Sequence, residues 1–188
     1  MQNVKRVPIA PDVTEDDVAQ VAYFENLDNH DYIEGDEKTP TETVYNVPGE
    51  ETFLHYIEDE MLGISYIAFS GENAENLEKK VADKVKTVKP ADVARALKSP
   101  PKDPEKLRRT LAHAFLLAPP KHDETFDKYF RIGFEHADPD VRRQAVVGVG
   151  YVGWPELAEP LRELAENDPD TDVKRDAKAM LKALKGAK

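Results

Sequence analysis

Residues 138–150 read Asp138-Pro139-Asp140-Val141-Arg142-Arg143-Gln144-Ala145-Val146-Val147-Gly148-Val149-Gly150, and they decide the C-terminal half of the fold. An aspartate ahead of a proline offers a capping oxygen to the first turn of a helix, where the proline has no N–H to leave unsatisfied. Val141, Ala145 and Val149 follow at four-residue intervals, which is the stripe of an amphipathic helix.

The same start occurs upstream as Asp103-Pro104-Glu105-Lys106-Leu107-Arg108-Arg109. It occurs downstream as Asp168-Pro169-Asp170-Thr171-Asp172-Val173-Lys174-Arg175. Leu107, Val141 and Val173 overlay at spacings of 34 and 32, and Leu111, Ala145 and Ala177 continue the overlay with small or slender side chains that let helices approach. With Asp123 and Trp154-Pro155 as further starts, the pattern predicts helices over 104–118, 123–136, 139–152, 155–167 and 170–185, preceded by a short one over 90–98. A two-helix unit of this length cannot bury its apolar face alone, so neighbouring units must stack.

These motifs resemble HEAT-repeat proteins of the short bacterial type, over about residues 103–185. The resemblance implies a stack of antiparallel helix pairs that presents an extended surface to other proteins. It implies outward positions Asp127, Arg131 and Glu135 on one second helix, and Glu159, Arg162, Glu163 and Glu166 on the next, as a partner-binding surface. Bilin lyases share the repeat type, and that likeness is one of fold only, because no lyase residue transfers with the repeat. Deoxyhypusine hydroxylases of this class need His-Glu pairs, whereas the histidines here precede Asp31, Tyr56, Ala114, Asp123 and Ala137.

Upstream the pattern changes. Thr14, with Glu15, Asp16 and Asp17 behind it, reads as the start of a helix over 14–26. Residues 28–42 show no usable period and read as an exposed acidic loop; their oxygen ligands are interrupted at His30 and Tyr32, against a calcium loop. Three β-type segments at 43–47, 52–57 and 64–69 form an antiparallel meander, and Leu77, Val81 and Val85 mark a helix covering it. The expected architecture is therefore α+β, mainly α. It comprises an acidic unit over 1–98, built from a small meander with helices, capping a helical stack over 99–188.

Composition bounds the chemistry. The 188-residue chain carries a net charge of −11, and residues 1–72 alone hold 17 acidic and 3 basic side chains. That argues against nucleic acid and anionic membranes as partners. The lack of cysteine excludes disulfides, thiolate metal sites and a cysteine nucleophile, and suits a reducing cytoplasm. No apolar run approaches the roughly 20 residues of a membrane span.

Local groupings read as structure before chemistry. His113, His122 and His136 stand nine and fourteen residues apart, no two of them one helical turn from each other, so no metal or other cofactor is expected. The cation pairs Arg108-Arg109, Arg142-Arg143 and Lys174-Arg175 should ladder onto aspartates of the neighbouring repeat. Trp154 should pack between repeats. The row Phe126, Tyr129, Phe130 and Phe134 should be a seam where the N-terminal unit docks. A non-enzymatic interaction or scaffold module is the preferred function, with an unidentified protein partner whose expected charge, opposite the acidic unit, is basic. A lyase-type enzyme or subunit, and an immunity-type acidic antagonist of a basic protein, remain alternatives.

Overall fold

In the computed structural model, residues 4–36 and 39–186 are described. The chain is α+β, mainly α, with an antiparallel sheet confined to its N-terminal part and a helix stack to its C-terminal part. It divides into two compact units, 1–89 and 90–188.

The first unit holds β1 (Lys5–Pro8), α1 (Glu15–Phe24), β2 (Asp28–Ile33), β3 (Thr41–Asn46), β4 (Thr52–Asp59), β5 (Ile64–Gly71) and α2 (Ala74–Val81). The strands form one antiparallel sheet in the order β1-β5-β4-β3-β2. The meander β3-β4-β5 lies where its alternating residues place it, but the sheet has two further edge strands. Residues 28–33, expected as loop, pair with β3 through Asp28 opposite Asn46 and Ile33 opposite Glu42, with a bulge at His30. The reason is physical: all six residues of β2 are exposed, so burial imposes no period on its sequence. Glu37, part of the same acidic stretch, lies outside the described residues.

One sheet face carries Tyr45, Leu54, Tyr56, Ile67 and Phe69, which meet Val18 and Ala22 of α1 and Leu77 and Val81 of α2 in a single core. The α1 start is a capping box. The Asp17 N–H donates to Thr14 Oγ1, and the Thr14 N–H donates to Asp17 Oδ2 at 2.9 Å. Thr43 Oγ1 donates to Glu15 Oε1 at 2.6 Å, tying this helix to β3.

The second unit runs α3 (Pro90–Lys98), α4 (Pro104–Leu117), α5 (Glu124–Phe134), α6 (Pro139–Val152), a 3₁₀ turn at Pro155–Leu157, α7 (Ala158–Asn167) and α8 (Thr171–Gly186). The sequence assigned α3 to the first unit; it packs on α4 and falls in the second. Asp103 and Asp138 cap their helices as expected, with a following backbone N–H on each carboxylate at 2.8 Å. The first helices α4, α6 and α8 pack in a row, with α5 lying on α4 and α6, and α7 on α8. Leu107, Leu111, Val141, Ala145, Val149, Leu157, Leu161, Leu164, Val173 and Ala177 are all buried, whereas Leu181 on the last helix is half-buried.

Two contacts set how closely the helices approach. A Cβ on Gly148 would lie 2.2 Å from the Phe115 ring, and one on Gly133 would lie 2.5 Å from Ala145 Cβ. Both positions therefore need a residue without a side chain. No helix among the described residues is long and apolar enough to cross a membrane.

Candidate functional site

The outer positions of α5 and α7 lie where the helical period puts them. Arg131, Glu135, Glu159, Arg162, Glu163 and Glu166 are exposed; Asp127 is half-buried. Several are engaged along their own helix. Arg131 Nε donates to Asp127 Oδ2 at 2.7 Å, Asn167 donates to Glu163 Oε1 at 2.9 Å, and Arg162 pairs with Glu159. Burial alone would raise the Asp127 carboxyl, but hydrogen bonds from Arg131 and His122 hold it below the usual carboxylate range. These faces form a mixed-charge surface.

Of the three cation pairs, Arg142-Arg143 binds across to the next repeat, whereas Arg109 pairs with Glu105 and Arg175 with Asp172 and Asp176 on their own helices. Arg142 grips Asp168 through two parallel hydrogen bonds, Nε to Oδ2 at 2.7 Å and Nη2 to Oδ1 at 2.8 Å; its Nη1 reaches the His136 and Ala137 carbonyls. The Asp168 side chain is fully buried and that of Arg142 is 8 % exposed. Burial would raise the Asp168 carboxyl, yet the guanidinium and the Asp170 N–H more than offset it and hold it low. Arg143 reaches Asp176 at 2.9 Å. Arg108 stands at the position of Arg142 one repeat earlier, and there the ladder stops. Its Nε is buried without a hydrogen-bond partner, the one such side-chain atom among the described residues.

Trp154 is 2 % exposed, donates its indole N–H to the Pro119 carbonyl at 3.2 Å and lies edge-on to Phe130. It is a packing residue. Phe130 stacks on Phe115 with ring centroids 4.3 Å apart, so the inner members of the aromatic row are core of the helical unit itself. The histidines stay apart. His113 is buried on α4, His122 pairs with Asp127 at 3.2 Å, and His136 Nδ1 accepts the Asp138 N–H at 3.0 Å. Among the described residues no group of three or more His, Asp or Glu could hold a metal ion.

A more organised constellation lies on the sheet face opposite α1 and α2. Register places Val44, His55 and Ala68 in one row across β3, β4 and β5. Glu42 and Ser70 are then the diagonal neighbours of His55 on its two sides. His55 Nδ1 is 2.6 Å from Glu42 Oε1, and His55 Nε2 is 2.7 Å from Ser70 Oγ. The side chains of Glu42 and His55 are 22 % and 17 % exposed, and Ser70 is 8 % exposed. Phe53 lies directly opposite Ser70 on β4, with the His30 ring 5.2 Å from its own. Arg6 on β1 stands opposite Ala68 and hydrogen-bonds the Tyr66 hydroxyl. Burial, with the Asp59 charge behind it, pushes that phenol up to about 12.

No family model, curated protein or solved structure matches the chain.

The chemistry must therefore be read from these residues. A serine hydroxyl on one imidazole nitrogen and a carboxylate on the other is an arrangement able to move a proton off the hydroxyl. Sequence reasoning missed it because Glu42 fell at the end of the expected acidic loop and Ser70 one residue beyond the expected third β segment. The signal was present: aligning the two hairpins through the Pro48-Gly49 and Gly63 turns puts 42, 55 and 70 on one diagonal. The missed edge strand β2 leaves a second feature, Tyr32 and Ile33 exposed among Asp28, Asp31 and Glu34.

Proposed function

We propose that this chain is a protein-interaction module, with its helical unit a short HEAT-type stack of bacterial kind that binds through the outer faces of α5 and α7. One observation carries the reading. The apolar stripes and repeat-to-repeat ion pairs are consumed inside the stack, while Arg131, Glu135, Glu159, Arg162, Glu163 and Glu166 remain at the surface as an alternating charge pattern. Such a pattern suits the polar rim of a protein interface better than a phosphate backbone, which demands one sign of charge. The cysteine-free composition fits work in a reducing cytoplasm.

The test is affinity capture from the source organism with the wild-type chain and with the quadruple variant Arg131→Glu, Glu159→Lys, Arg162→Glu, Glu163→Lys. A protein recovered by wild type and lost by the variant supports the surface. Equal recovery by both would move binding off the helices. The exposed acidic strand β2 favours a second reading, an antagonist of a basic protein. Under it, capture would survive the helix variant and fail when Asp28, Asp31 and Glu34 are neutralised.

A further inference from the structure

We propose that Ser70 is a nucleophile activated by His55 and Glu42, giving the sheet of the first unit an acyl-transfer activity toward small activated esters. The activity is separate from the binding role of the helices. Three observations carry it. The hydrogen-bond chain runs from Ser70 Oγ to His55 Nε2 at 2.7 Å and from His55 Nδ1 to Glu42 Oε1 at 2.6 Å, so each nitrogen of one ring has a different partner. With the carboxylate on Nδ1, that nitrogen carries the ring proton, and Nε2 is left with a lone pair facing the hydroxyl. The three residues come from three adjacent strands whose pairing fixes their spacing, which is the rigid support a reacting group needs.

The surroundings define the substrate. Phe53, paired with Ser70 across β4 and β5, is half-buried and forms an aromatic shelf beside the hydroxyl. Toward His30 this shelf opens to solvent. An acyl or aryl group of a few carbons fits on such a shelf. Arg6 is the diagonal neighbour of Ser70 on β1, a separation of about 7–8 Å that an arginine side chain spans. Its guanidinium is engaged at the Tyr66 hydroxyl, on the other side of Ala68 from Ser70, so Arg6 borders the site without serving the reacting oxygen.

In the reaction, Ser70 Oγ forms a bond to the ester carbonyl carbon as its proton passes to His55 Nε2. The carbon–oxygen bond to the alcohol then breaks, and that proton leaves with the alcohol. Water attacks the acyl-serine, giving one proton to His55, which returns it to Ser70 Oγ as the carboxylic acid departs. Glu42 keeps its hydrogen bond to Nδ1 throughout and holds the ring in the required orientation.

The experiment uses the full-length chain and two probes, a fluorophosphonate reagent read by peptide mass spectrometry and p-nitrophenyl acetate read by release of p-nitrophenol. Wild type should be labelled at Ser70 and should hydrolyse the ester above the buffer rate. Ser70→Ala should abolish both. His55→Ala should slow labelling by about 100-fold or more, the contribution of a positioned general base. Glu42→Gln should slow it at unchanged thermal midpoint, which a purely structural network would not do. Absence of label on Ser70 in wild type, or a label on another serine alone, overturns the proposal whether or not any variant folds. An ester rate unchanged in Ser70→Ala does the same.

Discussion

Asp168 shows what one buried carboxylate does in this chain. It ends α7, receives the Asp170 N–H at 2.8 Å and neutralises Arg142, so its loss leaves a guanidinium enclosed by backbone carbonyls alone. Asp168→Ala is expected to cost about 3–5 kcal/mol, because a buried charge stripped of its partner keeps its full desolvation penalty. Urea titration followed by far-UV circular dichroism measures this, and a loss under 1 kcal/mol would contradict it. Replacing Arg142 and Asp168 together by apolar residues should cost much less than Asp168→Ala. His113 is the residue with the largest consequence for pH. Burial, reinforced by the Arg109 charge, pushes its imidazole down to about 4, below the usual value of 6.5. The folded chain therefore binds this proton less readily than the unfolded chain. The stability it protects is full above pH 6.5 and is lost as pH falls from 6.5 toward 4. At pH 4.5 the penalty is about 2–3 kcal/mol. The stability difference between wild type and His113→Leu should shift by that amount, in favour of the variant, between pH 7 and pH 4.5. Equal differences at the two pH values would place His113 in an environment that accepts its charge.

At the scale of elements, Gly148 and β2 show two ways a sequence conceals its purpose. Gly148 costs its helix intrinsic stability and is tolerated because the Phe115 ring, stacked on Phe130, occupies the space a methyl would need. Gly148→Ala would gain about 1 kcal/mol in propensity and lose about 1–3 kcal/mol to overpacking. A lowered thermal midpoint is expected; a raised one would mean that the ring yields. In β2 the acidic side chains stand along an open sheet edge, where like charges discourage pairing with the edge of another molecule. Asp28→Val with Asp31→Val should make the chain associate in a concentration-dependent manner, read by light scattering, and a variant that stays monomeric would show the edge to be shielded by other means. The helices of the second unit were legible because each has a cap, a proline and a stripe. The meander was legible because its strands are runs of buried β-branched and aromatic residues set between turns. The edge strands carry no such alternation, and the Glu42, His55 and Ser70 diagonal joins segments up to 28 residues apart, so it is read from the positions of the two turns and from no pattern within one strand. Of the outer positions on α5 and α7, the period gave exposure correctly. It could not show that Asp127 turns inward to bind His122 and Arg131.

For the molecule as a whole, the dominant long-range term is the charge of residues 1–72. If the partner is cationic, association should be fast at 0.01 M salt and should slow as the Debye length falls from about 30 Å to about 8 Å at 0.15 M. Replacing Asp28, Asp31, Glu34, Asp36 and Glu37 by Asn or Gln should lower the association rate and flatten its salt dependence. Thermal stability should hold or rise slightly, since self-repulsion falls. Identical rates and slopes for variant and wild type would assign these charges to solubility. The row of first helices has a mechanical consequence of its own. Bending the stack so that α4, α6 and α8 separate must pull Phe115 off the bare backbone at Gly148 and part Arg142 from Asp168. Bending it so that α5 and α7 spread must draw the Trp154 indole, ahead of α7, off Phe130 of α5, and it strains the same Arg142 bridge, which ties the carbonyls after α5 to Asp168 at the end of α7. The second unit is therefore braced along both edges, like a book bound at the spine and clasped at the front, and whatever rests on α5 and α7 meets a surface whose curvature is already set.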